Sequence, residues 1–135
     1  MQGKINQGSL PSVLALAYLG DARHALFVRR MLVRLGISKS GTLSDAAKRF
    51  VSAEAQARCL EKIIPHLSED ELSVCRRARN STHLNRPKHQ TAEDYRAATA
   101  FEALLGMLDY LGDEARISEL LEIAHTEDDE NDQKN

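Results

Sequence analysis

The chain has 135 residues, 42% apolar and 28% charged, with a formal net charge of −2, the size and composition of one globular domain with a core of its own. Aromatic residues make up only 4% and Trp is absent, so Leu, Ala, Ile and Val must fill that core, which favours helices over sheets. No apolar run reaches the length of a membrane span, the N-terminus lacks an apolar signal-peptide core, and Cys59 and Cys75 show neither a disulfide framework nor a zinc-ligand spacing, so a cytoplasmic protein with reduced thiols is expected.

The apolar periodicity predicts an all-α fold of about six helices. Leu14, Tyr18, Ala22 and Leu26 place the first from about Pro11 to Leu35, with Gly36 as its stop. Gly20 lies inside this helix, where it costs about 1 kcal/mol against Ala, and suggests close approach of another helix or a ligand. Thr42 or Ser44 can cap a short second helix to about Phe50, and Ser52 a third to about Ile64, ended by Pro65. Ser68-Glu-Asp-Glu71 is a capping box for a fourth helix to about Asn80, and Thr91-Ala-Glu-Asp94 a second box for a fifth to about Leu111. A sixth helix runs from about Asp113 to His125. Residues 1–10 are expected to be an N-terminal arm, 11–125 the folded domain and 126–135 a disordered acidic tail. That tail holds five acids and one Lys, a net −4, which leaves +2 on residues 1–125.

The positive charge is unevenly placed. Between Leu72 and Ala92 there is no acid, while Arg76, Arg77, Arg79, Arg86 and Lys88 occur with His83 and His89. Such a stretch can contact phosphates, with Asn80, Ser81, Thr82 and Asn85 as neutral donors. It contains no aromatic residue on which single-stranded bases could stack. A solvated basic helix end is the plainer reading.

Two carboxylates stand among small apolar residues: Asp21 in Leu14-Ala-Leu-Ala-Tyr-Leu-Gly-Asp-Ala22, and Glu102 in Ala98-Thr-Ala-Phe-Glu-Ala-Leu-Leu-Gly106. A charge on an apolar helix face needs a partner or a metal. Each acid alone could be structural, Asp21 paired with Arg23 or Arg29, Glu102 with Arg96 or Tyr95. Together they suit one site for magnesium, which binds through one or two carboxylates and keeps several waters, and so hydrolytic chemistry. Phosphate-binding Gly-rich loops, His-Glu-x-x-His and a nucleophilic Ser elbow are missing, and the five histidines lack ligand spacing on any one helix.

These motifs resemble the catalytic domain of the ribonuclease III family. Tyr18-Leu-Gly-Asp-Ala22 is similar to its signature, and Phe101-Glu-Ala-Leu-Leu-Gly106 to its second element. Val51-Ser-Ala53, Arg79-Asn80, Pro87-Lys88 and Tyr95-Arg96 extend the likeness toward Mini-ribonuclease III, the short branch without a double-stranded-RNA-binding domain. The resemblance implies a homodimeric, magnesium-dependent endoribonuclease that cuts double-stranded RNA to 5′-phosphate and 3′-hydroxyl ends and matures precursor 23S ribosomal RNA. It makes Asp21 and Glu102 the catalytic, metal-binding acids and gives RNA binding to Arg76, Arg77, Arg79, Asn80 and Lys88. The chain departs from full-length ribonuclease III at Ala17 and Thr99, where the larger enzymes have further acids, and carries Ala78 where the short branch often has Gly. A non-catalytic duplex-RNA-binding or ribosome-assembly module with the same fold is the alternative at this point.

Overall fold

The computed structural model describes residues 9–81 and 87–134, and the backbone alone of residues 127–134. It is all-α: six α-helices, α1 (Val13–Arg34), α2 (Ser40–Val51), α3 (Ala53–Ile63), α4 (Glu69–Asn80), α5 (Ala92–Tyr110) and α6 (Glu114–Lys134), with a 3-10 turn at Ile64–His66. No strand occurs among the described residues. The local signals act as expected at most boundaries. Ser12, Ser52 and Thr91 accept hydrogen bonds from the backbone N–H groups of Ala15, Ala55 and Asp94. The Ser68 box is fully formed, its hydroxyl taking the Glu71 N–H and the Glu71 carboxylate taking the Ser68 N–H. Gly36 and Gly112 adopt φ of +89° and +77°, the left-handed conformation that ends a helix with little penalty only at glycine.

Two boundaries differ from expectation. Helix α2 begins at Ser40, preceded by Lys39 with no side-chain cap, so neither Thr42 nor Ser44 is its cap. The backbone of α6 continues to Lys134, well past His125, where the apolar repeat stops. No Pro or Gly interrupts residues 126–134, and Glu, Gln and Lys are good helix formers. Of the expected N-terminal arm, residues 1–8 lie outside the described residues, while Leu10 packs on the core.

Helix α5 is the axis of the fold. From Ala97 to Leu108 every side chain is buried except Glu102, which is half-buried. Helices α1, α3 and α4 all pack on it. Helix α4 runs beside α5 in the opposite sense, with the Cys75 thiol against the Ala100 carbonyl and Arg79 paired to Glu93 at 2.9 Å. The other end of α4 is fastened by Arg116 of α6, whose guanidinium donates to both Glu71 carboxylate oxygens at 2.7 and 2.9 Å and to the His66 carbonyl at 2.7 Å. Burial opposes ionisation of Glu71, but the hydrogen bonds from Arg116 and Ser68 hold its carboxyl below the ordinary 4.5.

The tightest contact is between α1 and α5. A Cβ built on Gly20 would lie 1.7 Å from the Glu102 carbonyl oxygen, and one built on Gly106 would lie 1.7 Å from that of Leu16. Each glycine therefore admits the other helix's backbone. The close approach expected at Gly20 is made by a helix.

Two predictions follow from this packing. In an exposed helix Gly→Ala is stabilising by about 1 kcal/mol; here Gly20→Ala and Gly106→Ala should each destabilise by about 2 kcal/mol or more, as overpacking does, read from denaturant midpoints. Glu71 is ionised in the fold at lower pH than in the unfolded chain, so its contribution is complete above the unfolded value and fades as pH falls through the folded one. Glu71→Gln should therefore lower the melting temperature at neutral pH, with the gap to wild type narrowing on acidification below about pH 4.

Candidate active site

Asp21 directly follows Gly20, and Glu102 supplies the carbonyl that Gly20 abuts. The crossing therefore sets the two acids side by side, and the Asp21 side chain is within hydrogen-bonding range of the Glu102 carboxyl. Asp21 is exposed rather than buried. It does not pair with Arg23, whose guanidinium is held by Glu114 at 2.6 Å and Asp109 at 3.4 Å. Glu102 pairs with neither Arg96 nor Tyr95; behind it the buried Gln56 amide lies 3.5 Å from Oε2. Burial and then the hydrogen bond and negative charge of Asp21 push the Glu102 carboxyl up to about 9, against which the Gln56 hydrogen bond acts. Of the positions where larger relatives carry acids, Ala17 is buried and the Thr99 hydroxyl turns back onto the Tyr95 carbonyl at 2.9 Å. Ala17 has no side-chain oxygen to offer the pair, and the Thr99 proton is committed to Tyr95.

This arrangement fits a divalent cation. Two carboxyl groups at one open point on the surface, one of them disfavoured as an anion first by burial and then by the other, form a donor set whose mutual repulsion a dication would relieve. The ion would be held by Asp21 and Glu102 and otherwise by water, the coordination magnesium favours.

The basic residues gather at the far end of α4. Arg76, Arg77 and Asn80 are exposed on its last turns, and Lys88 is exposed in the turn before α5. Arg79 is half-buried and salt-bridged to Glu93, so this patch is not unopposed as the local sequence implied: the opposing acid comes from α5. That pair lies nine residues before Glu102, about 13 Å along the helix. Ala78 is fully buried inside α4. Thr82, His83, Asn85 and Arg86 lie outside the described residues.

Residues 14–113 match the family described as "Ribonuclease III domain". The chain belongs to the ribonuclease III family. It is 45% identical over 116 residues to Mini-ribonuclease 3 of Brevibacillus brevis, covering 86% of this chain and 87% of that protein. It is 43% identical to Mini-ribonuclease 3 of Symbiobacterium thermophilum, covering 82% and 85%. A crystal structure of a Fusobacterium nucleatum protein superposes with a TM-score of 0.80 at 31% identity, covering 92% of this chain and 99% of that one. Membership of the ribonuclease III family makes the chain an endoribonuclease with an all-α catalytic fold. No described helix is long and apolar enough to cross a membrane.

Gln56 was not singled out from the sequence, yet a signal was there. Residues 53, 56, 60 and 63 form the apolar face of α3, so a Gln at 56 is a polar group facing the core, where it needs partners.

Because Glu102 in the fold retains a proton that the unfolded chain gives up near 4.5, its stabilising contribution is present below that value and lost as pH rises toward about 9. Metal-free Glu102→Gln should melt above metal-free wild type, with the gap widening from about pH 5 to about pH 9. A gap that stays constant with pH would refute the shared proton.

Proposed function

We propose that this member of the ribonuclease III family cuts double-stranded RNA with magnesium at the Asp21–Glu102 pair, as a cytoplasmic homodimer that matures the ends of precursor 23S ribosomal RNA. The observation that carries the reading is the meeting of an exposed Asp21 with a half-buried Glu102 at the α1–α5 crossing. Such a pair is poorly placed for a structural role and well placed to hold a cation against a phosphodiester. Magnesium, when bound, supplies the Lewis acidity that activates water and offsets charge on the phosphate. The protein's own groups orient the site. Asp21 and Glu102 accept the ion and its waters, and Gln56 fixes the Glu102 carboxylate from behind. Products with 5′-phosphate and 3′-hydroxyl ends follow if water attacks the phosphorus and the 3′-oxygen leaves.

Arg76, Arg77, Asn80 and Lys88 are the groups in reach of backbone phosphates, with Arg79 joining them once it exchanges Glu93 for RNA. Contacts of that kind read the shape of an A-form duplex rather than its bases.

The homodimer reading rests on the face around Asp21. Tyr18, one turn before Asp21, is 86% exposed, and Leu14, one turn further, is 52% exposed. Helix α2 has no fully buried residue, and beside it a groove of about 490 Å³ is lined by Leu32, Val33, Leu43, Ala47 and Val51. A second copy covering these surfaces buries the apolar groups and brings two acid pairs and two basic patches to one duplex, matching its pseudo-two-fold axis.

Purified protein incubated with precursor 23S ribosomal RNA and magnesium should give discrete termini, mapped by sequencing both ends. Asp21→Asn and Glu102→Gln should lower the cleavage rate by about a hundredfold or more, the scale of losing a charge-stabilising group, while retaining duplex binding. Arg76→Ala and Arg77→Ala should weaken binding of every duplex alike and reduce the slope of log affinity against log salt by about one each. Tight binding by wild type with no magnesium-dependent cleavage would favour the non-catalytic alternative.

A further inference from the structure

In the core behind the acid pair, three side chains converge from three helices: His24 of α1, Cys59 of α3 and His125 of α6. One donor atom from each lies within 4.8 Å of the other two. His24 Nε2 is 3.1 Å from His125 Nε2, and the Cys59 sulfur is 4.0 Å from that same nitrogen. All three residues are buried. We propose that His24, Cys59 and His125 form a second, structural metal site for a thiophilic transition-metal ion of the zinc type, distinct from the magnesium site at Asp21 and Glu102.

The geometry is that of an empty tetrahedral corner. Zinc holds imidazole nitrogen at about 2.0 Å and thiolate sulfur at about 2.3 Å, so tetrahedral ligands stand about 3.3 Å apart for two nitrogens and about 3.5 Å apart for nitrogen and sulfur. The two imidazole nitrogens, at 3.1 Å, are close to the first spacing, and the Cys59 sulfur, at 4.0 Å from His125, is about half an ångström beyond the second. The His24–Cys59 pair lies within 4.8 Å, so the ion would draw the sulfur inward. Three protein donors leave one position for a neutral oxygen ligand. The softness of a thiolate with two imidazoles excludes magnesium and selects a transition metal.

The surroundings of His24 bear on such a site. A ligating imidazole normally donates its second N–H to a fixed acceptor, and His24 Nδ1 has the Gln56 amide at 3.0 Å. As placed, the Gln56 Nε2 donates to Nδ1 as well as to Glu102, so ligation through His24 Nε2 requires that amide to turn its oxygen to Nδ1–H and release Glu102. Phe101 stands edge-on to His24 at 5.0 Å, and Phe27 stacks on His125 at 5.2 Å. These aromatic contacts hold both rings in place. On binding, the Cys59 thiol gives its proton to solvent and the sulfur lone pair bonds the ion, with no change of oxidation state. The ion would tie α6 to α1 and α3.

The test uses the full chain without a histidine tag, unfolded, stripped of metal and refolded with Co²⁺, then with Zn²⁺. A thiolate-to-cobalt charge-transfer band should saturate at one equivalent per chain, be bleached by Zn²⁺ and survive excess Mg²⁺. Cys59→Ser should abolish the band, whereas Cys75→Ser, which removes the other buried thiol, should keep it. His125→Gln, checked for folding by circular dichroism, is a second variant expected to lose tetrahedral binding. Zn²⁺ should raise the wild-type melting temperature and leave that of Cys59→Ser unchanged. Absence of the band in refolded wild type, or its persistence in Cys59→Ser, overturns the site and leaves a neutral hydrogen-bonded cluster. The double variant Asp21→Asn, Glu102→Gln should retain the band, and losing it would place the ion at the acid pair instead. None of these readouts depends on RNA cleavage, so failure here and failure of the nuclease reading are separable.

Discussion

The fold is organised by the contact between the α1 and α5 backbones at Gly20 and Gly106. A helix pair separated by ordinary side chains keeps its axes 8–10 Å apart, with some freedom to slide. Where each glycine receives the other helix's carbonyl, as here, one register is allowed and sliding is blocked by backbone atoms. Asp21 and Glu102 inherit that precision. One is the neighbour of Gly20, and the other is one turn before Gly106. Their side chains are short, so positional error in the helices would pass almost undiminished to the carboxyl oxygens. A rigid crossing is therefore the means by which so small a domain can preorganise two ligands.

That precision carries an electrostatic cost, visible at Glu102. The crossing holds it next to Asp21 and against the core, and both effects favour its protonated form. Asp21 escapes the burial by lying on the open side. A pair of acids in unequal surroundings, one wet and one half-buried, differs from two equivalent ligands. Burial and the neighbouring Asp21 both favour the Glu102 proton, and a dication held between the two acids would offset them by its own charge. Two carboxylates suffice because the ion they would bind carries its own water shell.

Much of this was legible locally. Caps and stop signals act within four residues, so Ser68 with Glu71, Thr91, Gly36 and Gly112 could be read where they stand. Gly20 and Glu102 were conspicuous because each breaks the rule of its own helix, a flexible residue in a rigid interior and a charge in an apolar run. What escaped depends on partners distant in sequence. Glu93 neutralises Arg79 only once α5 lies along α4. The bidentate Arg116–Glu71 pair joins residues 45 apart. The exposure of Asp21 could not be seen, because a helical repeat reports which residues share a face without saying which face meets the core.

The same limit explains the histidines and cysteine of the core. Spacing on one helix reveals a metal site only when the ligands share that helix, and His24, Cys59 and His125 come from three. Their assembly is nonetheless continuous with the acid pair. The Gln56 Nε2 lies 3.0 Å from His24 Nδ1 and 3.5 Å from Glu102 Oε2, while Cys59 lies three residues along α3 on the same buried face. Polar groups in an apolar interior are tolerated only when each finds a partner, so the orientation of the Gln56 amide is constrained from both ends. With its nitrogen between them it donates to both and favours the ionised Glu102 carboxylate; turned with its oxygen to His24 it would favour the ligating tautomer and withdraw its donor from Glu102. A primary amide carries two N–H donors on one nitrogen, so the single Gln56 Nε2 can serve two such acceptors at once. The longer Gln spans from α3 to the acid pair, which makes position 56 the point where core packing and the chemistry of the surface site meet.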